Sequence, residues 1–305
     1  MTRVAIIGAA NAGKSSITNA LVGEKVSIVT DLAGTTRDAI TGYVMPANTH
    51  RGSAPFAVID TAGMLKGATM LDRHMRKGIS HAVQSADVIL YVLDVTRFGR
   101  DDIQKIENYR GVDETQRASG DATKNRVAGV PVVVAVNKID RVKPDALMHQ
   151  LNSLRPLDFV RAVVPVSAKS GAGMDTLLEI LSGLGGGDTE KTPDPDTYTD
   201  QTVRKMACEI IRGAVIKNTR DEIPHGIAVV ITKFAETPNE TEIYADILCT
   251  RPNHKAIIIG RGGENLKKIG TNARQEIEKL TDTHVKLFTH VIVREDWKND
   301  PEIFS

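Results

Sequence analysis

Gly8-Ala9-Ala10-Asn11-Ala12-Gly13-Lys14-Ser15 reproduces the spacing G-x-x-x-x-G-K-S. A loop of this kind wraps phosphate groups with backbone N–H donors, and its glycines let the chain approach closely. The donors would come from Asn11, Ala12, Gly13, Lys14, Ser15 and Ser16. Lys14 can reach the β- and γ-phosphates, and the Ser15 hydroxyl can ligate Mg²⁺. A chance match in a chain of 305 residues is on the order of one in a hundred at average residue usage.

Asp60-Thr61-Ala62-Gly63 follows about fifty residues later. Asp60 can hold Mg²⁺ through water, and the Gly63 N–H can contact a γ-phosphate. Between the two motifs lies Gly34-Thr35-Thr36-Arg37-Asp38. A Thr hydroxyl here would complete the Mg²⁺ shell in a loop ordered by the third phosphate. Thr36 is favoured over Thr35, and the plain alternative is a capped turn. Asn137-Lys138-Ile139-Asp140 supplies a base pocket. The Asp140 carboxylate accepts from guanine N1–H and its 2-amino group, donors that adenine does not offer there. Asn137 braces that pocket and the Lys138 stem packs along the base. In Ser167-Ala168-Lys169 the Ala168 N–H is suited to guanine O6.

Ras-like switches place a water-orienting Gln after D-x-x-G, but this chain has Met64. A thioether cannot orient water by hydrogen bonding, so hydrolysis needs another source of positive charge or positioning. The Asn11 amide oxygen is a candidate to hold K⁺ near the phosphates. The catalytic set is thus Lys14, Thr36, Gly63 and Asn11.

These residues need strand ends and helix starts to hold them. Residues 1–182 alternate apolar runs with helical patterns. The runs are Val4–Ile7, Phe56–Ile59, Val88–Leu93, Val132–Val136 and Val163–Val166; the helices include Ser15–Leu21, Met70–Val83 and Asp145–Leu154. That alternation predicts an α/β domain, a mostly parallel sheet with helices on both faces. Asn108–Gly129 reads as a polar surface insertion. Residues 183–200, rich in Gly and Pro, read as a linker.

Residues 201–305 predict an α+β domain in the order α-β-β-α-α-β. Helical spacing runs from Val203 to Ala214. Strands follow at Ile227–Phe234 and Glu242–Thr250, then helices His254–Ile259 and Glu264–Leu280, then a strand at His284–Val293. Gly260-Arg261-Gly262-Gly263 sits between the last two helices. A GxxG tetrad there lets the backbone of single-stranded RNA approach, the clamp of a KH module. From Arg251 to Arg274 there are six basic residues and one acid, whereas residues 188–305 hold 17 basic and 20 acidic residues. The basic stretch is a local feature, and Lys255, Ile258, Gly260, Arg261, Gly262, Gly263, Lys267, Lys268 and Arg274 are the candidate RNA contacts.

The formal net charge is +1, which excludes a global basic field. Cys208 and Cys249 cannot form a disulfide scaffold or a Cys-rich zinc site and are expected in the core. The first strand starts almost at Met1, and the apolar runs fall short of the ~20 residues a spanning helix needs. A soluble, intracellular chain is expected.

Taken together, Gly8–Ser16, Thr35–Thr36, Asp60–Gly63, Asn137–Asp140, Ser167–Lys169, Tyr198–Arg212 and Lys255–Arg274 resemble the Era family of GTPases over nearly the whole chain. The resemblance implies a P-loop GTPase domain followed by a KH domain, with GTP or GDP and Mg²⁺ as cofactors. It implies binding to the 3′ end of small-subunit rRNA and a role in assembling the 30S-type subunit. It also implies K⁺ stimulation through Asn11, a cytoplasmic monomer, and peripheral contact with the inner membrane. Ala62 departs from the family, where Pro is common at that position. A second reading keeps RNA binding but makes GTP structural, with negligible turnover. An ATP-using kinase is disfavoured by Asp140.

Overall fold

The computed structural model describes residues 1–29, 36–45, 54–63, 67–108, 129–154, 157–184, 193, 194, 196–220 and 222–303. Thr35, Met64 and most of the expected insertion at 108–129 lie outside these residues. Two compact units are present. One holds Met1–Ser27, Thr36–Lys66 and His74–Asp200, and the other is built on Gln201–Ser305.

The first unit runs β1 (Thr2–Gly8), α1 (Lys14–Val22), β2 (Ile40–Val44), β3 (Phe56–Asp60), α2 (Met70–Ser85), β4 (Val88–Asp94), α3 (Arg100–Glu107), β5 (Val132–Asn137), α4 (Pro144–Leu154), β6 (Val160–Pro165) and α5 (Met174–Gly183). The strands form one sheet in the order β2-β3-β1-β4-β5-β6. All pairings are parallel except β2 with β3. The sequence reading did not anticipate β2. Ile40–Val44 alternates buried with half-buried positions and contains Gly42, so it lacks the continuous apolar run of a central strand.

β1, β3, β4 and β5 are buried along almost their whole length. Their two faces feed two cores. One gathers Val4, Ile6, Ile17, Leu21, Val58, Leu90 and Leu177. The other gathers Ala5, Ile7, Ile89, Tyr91, Val134, Ile106 and Leu154. Helices on both faces follow from this double burial.

Gly183 closes α5 rather than opening a linker. At the far end of the expected linker, the Tyr43 N–H donates to the Tyr198 carbonyl at 2.9 Å and Thr199 Oγ1 donates to the Thr41 carbonyl at 2.6 Å. This stretch therefore lies along β2 and extends the sheet edge.

The second unit runs α6 (Val203–Lys217), β7 (Ile227–Glu236), β8 (Glu240–Cys249), α7 (Pro252–Ile259), α8 (Glu264–Thr281) and β9 (His284–Val293). Its sheet is β7-β8-β9, antiparallel then parallel. Ala207, Ile211, Val215, Ile243, Ile247, Ile258, Ile269 and Ile277 form its core. Trp297 closes one end, donating from Nε1 to the Gly226 carbonyl at 3.1 Å. Cys249 is buried as expected, but Cys208 is only partly so; its thiol donates to the Val229 carbonyl.

Gly8 ends β1 at φ +147°, and a Cβ there would lie 2.3 Å from the Val92 carbonyl oxygen of the neighbouring strand. Gly8→Ala is therefore expected to destabilise the fold by roughly 2 kcal/mol or more through backbone strain and overpacking. Urea unfolding midpoints of the two proteins check this.

Candidate functional site

β1 lies between β3 and β4, where the strand order reverses. In open α/β sheets, ligands dock beyond the carboxyl ends of strands at such a point. The loop from Gly8 to Gly13 occupies that position and leads into α1, whose N-terminus favours anions. Asn11 and Gly13 have φ of 63° and 96°, so the loop curls back on itself.

Lys14 is buried. Its Nζ donates to the Gly8 and Ala9 carbonyls at 3.2 and 3.0 Å. Burial lowers its pKa to about 8, and the charge of Asp60 only partly offsets this. Two carbonyl dipoles hold the ammonium where phosphate oxygens would hold it better.

Ser15, Thr36 and Asp60 converge. Ser15 Oγ donates to Asp60 Oδ2 at 2.6 Å and lies 2.8 Å from Thr36 Oγ1. Thr36 Oγ1 donates to the same carboxylate oxygen at 3.4 Å. Asp60 is fully buried, and burial pushes its carboxyl above the usual range against the Ser15 bond and the Lys14 charge. Its Oδ1 has no hydrogen-bond partner. A hard divalent cation suits such a site: oxygen donors only, one buried carboxylate, and an oxygen still unsatisfied. Gly63 is packed so tightly on the loop that a Cβ would lie 2.6 Å from Ala10 Cα.

The second cluster lies at the ends of β5 and β6. Asn137 Nδ2 donates to the Ala12 carbonyl at 2.9 Å, and a Cβ on Gly13 would fall 2.1 Å from that nitrogen. Asn137 Oδ1 accepts from the Ala168 N–H at 3.2 Å. The N–H assigned from sequence to guanine O6 is thus already shared with Asn137. Asp140 is exposed. Its Oδ1 accepts from Ser167 Oγ at 2.6 Å, and that bond lowers its pKa. Lys169 is exposed beside it.

Lys138 does more than line a base. In a left-handed conformation at φ 67°, its Nζ donates to the Asn11 carbonyl and to Asp94 Oδ2, both at 2.6 Å. Burial works against the Asp94 charge, but the Lys138 and Thr96 bonds outweigh it and lower its pKa. Sequence reasoning missed Asp94, although one acid ending a buried apolar strand was a usable signal.

In the second unit the tetrad follows α7. Gly260, Gly262 and Gly263 all have positive φ, and nothing lies within 4 Å of a Cβ built on Gly262 or Gly263. Arg261, Lys267 and Lys268 are exposed, and Lys255 is half-buried. Arg274 pairs with Glu278 at 2.8 Å, one turn along α8. Ile258 corrects the sequence reading. It is fully buried in the core, and Ile257, 52% exposed, is the residue of that pair available to a ligand. Residues adjacent on a helix point about 100° apart, so apolar character alone did not tell them apart. Asn265 was also missed; its Nδ2 donates to the Ile257 and Ile258 carbonyls at 3.1 and 3.2 Å and fixes the loop to α8.

The chain resembles known proteins throughout. A family described as 50S ribosome-binding GTPase matches residues 3–138. A KH domain family matches residues 222–298. GTPase Era of Ruminiclostridium cellulolyticum is 34% identical, covering 99% of this chain and 95% of its own length. GTPase Era of Halothermothrix orenii is 36% identical, covering 97% and 93%. A crystal structure of Era in complex with MgGDPNP and nucleotides 1506–1542 of 16S ribosomal RNA superposes with a TM-score of 0.86 at 33% identity, covering 99% of this chain and 96% of that one. A single-residue variant of Aquifex aeolicus Era bound to GDP·AlF4⁻ gives 0.85 at 32% identity with the same coverage.

The Lys14 pKa carries a pH signature. Because it lies below the unfolded value, its burial penalty is full below about pH 8 and fades as pH rises toward 10.5. Phosphates on the loop must restore the ammonium. GDP binding without Mg²⁺ is expected to take up about 0.8 proton more at about pH 9 than at about pH 7. Calorimetry in buffers of different ionisation heat measures this, and equal uptake at both would contradict it.

Proposed function

The chain belongs to the Era family of GTPases, and from that premise we propose that it binds and hydrolyses GTP in its first unit and holds the 3′ end of small-subunit rRNA on its KH domain during subunit assembly. The observation that carries this reading is the meeting of Ser15, Thr36 and Asp60 beneath the phosphate loop. An oxygen-only cluster there suits a triphosphate-linked Mg²⁺. Mg²⁺, when bound, neutralises charge on the phosphate oxygens. Ser15, Thr36 and Asp60 would hold it.

The other roles fall to this chain's own groups. The backbone of Asn11, Ala12, Gly13, Lys14, Ser15 and Ser16 cradles phosphates. The Lys14 ammonium moves from the Gly8 and Ala9 carbonyls to the phosphate oxygens. The Gly63 N–H meets the γ-phosphate. Asp140, kept ionised by Ser167, selects guanine, and Asn137 and Ser167 hold the walls of that pocket. Lys138 lies along the base, and Ala168 and Lys169 close its far side. RNA would lie against Gly260–Gly263, with Arg261, Lys267 and Lys268 facing its phosphates and Ile257 its bases.

The Era structure holding MgGDPNP and a 16S rRNA segment supports carrying both ligands to this chain. We extend the reading to a monomer in the cytoplasm that works on the 30S-type subunit. Contact with the inner membrane would be peripheral, since no described helix is long and apolar enough to cross one.

Single-turnover GTP hydrolysis with and without a 3′-terminal rRNA segment tests the proposal. RNA is expected to speed wild-type turnover. Gly262→Asp, which sets a carboxylate in the open space of the tetrad, is expected to abolish RNA binding and that stimulation while sparing GTP affinity. Negligible turnover in every condition would favour a structural role for GTP. The Asn11 assignment predicts further that replacing K⁺ by Na⁺ lowers kcat by tenfold or more, on the order of one lost charge stabiliser. Asn11→Ala is expected to remove the difference between the two ions.

A further inference from the structure

Ser27 lies between α1 and the segment that carries Thr36, and a single side chain fixes its place. Asn19 Oδ1 accepts from the Val26 and Ser27 N–H groups at 3.0 and 2.9 Å. Asn19 Nδ2 donates to the Ser27 carbonyl at 2.8 Å. Asn19 stands one turn along α1 from Ser15, so the clamp and a candidate metal ligand ride on one helix. With its backbone held on both sides, Ser27 turns its side chain inward, where it is 2% exposed.

That side chain faces Asp60. The hydroxyl is near enough to favour the charged carboxylate, yet neither Ser27 Oγ nor Asp60 Oδ1 has a hydrogen-bond partner. Two unsatisfied polar atoms in a dry site are costly, and a hydrogen bond between them would satisfy both. Asp60 Oδ2 is held by Ser15 and Thr36, which are themselves candidate Mg²⁺ ligands. Ser27 can steady the carboxylate without entering the metal shell.

We propose that Ser27 is a positioning residue of the Mg²⁺ site, donating its hydroxyl to Asp60 Oδ1 when nucleotide is bound and thereby keeping Oδ2 on the Ser15–Thr36 side. This rests on the GTPase reading above. Outer-shell partners of metal ligands typically change metal affinity by 10–100-fold, roughly, when removed.

The test follows release of a fluorescent GDP analogue across Mg²⁺ concentrations. Ser27→Ala is expected to raise the half-saturating Mg²⁺ concentration about tenfold, with release in excess chelator unchanged. An unchanged Mg²⁺ requirement would overturn the proposal, as would equal acceleration with and without the metal, which marks a merely structural role. Should Ser27→Ala not fold, Asn19→Ala, which frees the clamp and leaves the hydroxyl, decides by the same reading. A wild-type protein that retained GDP equally well with and without Mg²⁺ would overturn the Ser27 proposal alone, and one that bound no GDP in either condition would overturn the GTPase reading as well.

Discussion

A carboxylate with no access to water governs the first unit. Asp60 ends a buried strand, and desolvation raises its carboxyl above the usual range. What keeps it serviceable is the company it is given: the Ser15 and Thr36 hydroxyls, the nearby Lys14 ammonium and the inward-turned Ser27. Lys14 and Ser15 come from the start of α1, and Ser27 and Thr36 from the connection between α1 and β2. The carboxylate therefore ties together stretches of chain that no strand or helix joins. A divalent cation entering this cluster relieves the same desolvation that the hydroxyls only moderate.

The loop itself is braced from the opposite side. Asn137 holds the Ala12 carbonyl and Lys138 holds the Asn11 carbonyl, so the base pocket and the phosphate loop form one hydrogen-bonded piece. Asp94 anchors the lysine in turn. This arrangement explains why Gly13 tolerates no side chain, since Asn137 fills the space. It also means that a change in the base pocket is felt at the phosphates through two short bonds.

The second unit solves a different problem. Its helices and sheet form a dry core on one side of the tetrad, while the tetrad itself stays bare. Asn265 satisfies the last carbonyls of α7 and pins the loop, so the glycines supply access without leaving the backbone unsupported.

Much of this was legible in the residue string. Continuous apolar runs marked β1, β3, β4 and β5, because a strand covered on both faces must be apolar throughout. The glycine spacing, the acids after strands and the GxxG tetrad marked the candidate sites, because phosphate, guanine and RNA backbones would each demand particular donors at particular intervals. Folding decided the rest. β2 and the strap from Tyr198 were hidden because edge strands need little apolar character. Ile258 and Ile257 were indistinguishable until α7 turned one inward. The grip of Lys138 on Asn11 and Asp94 depends on atoms that meet only when distant segments pack. Local composition fixes which groups are available, whereas burial and direction, which set their charge and their reach, belong to the packed structure.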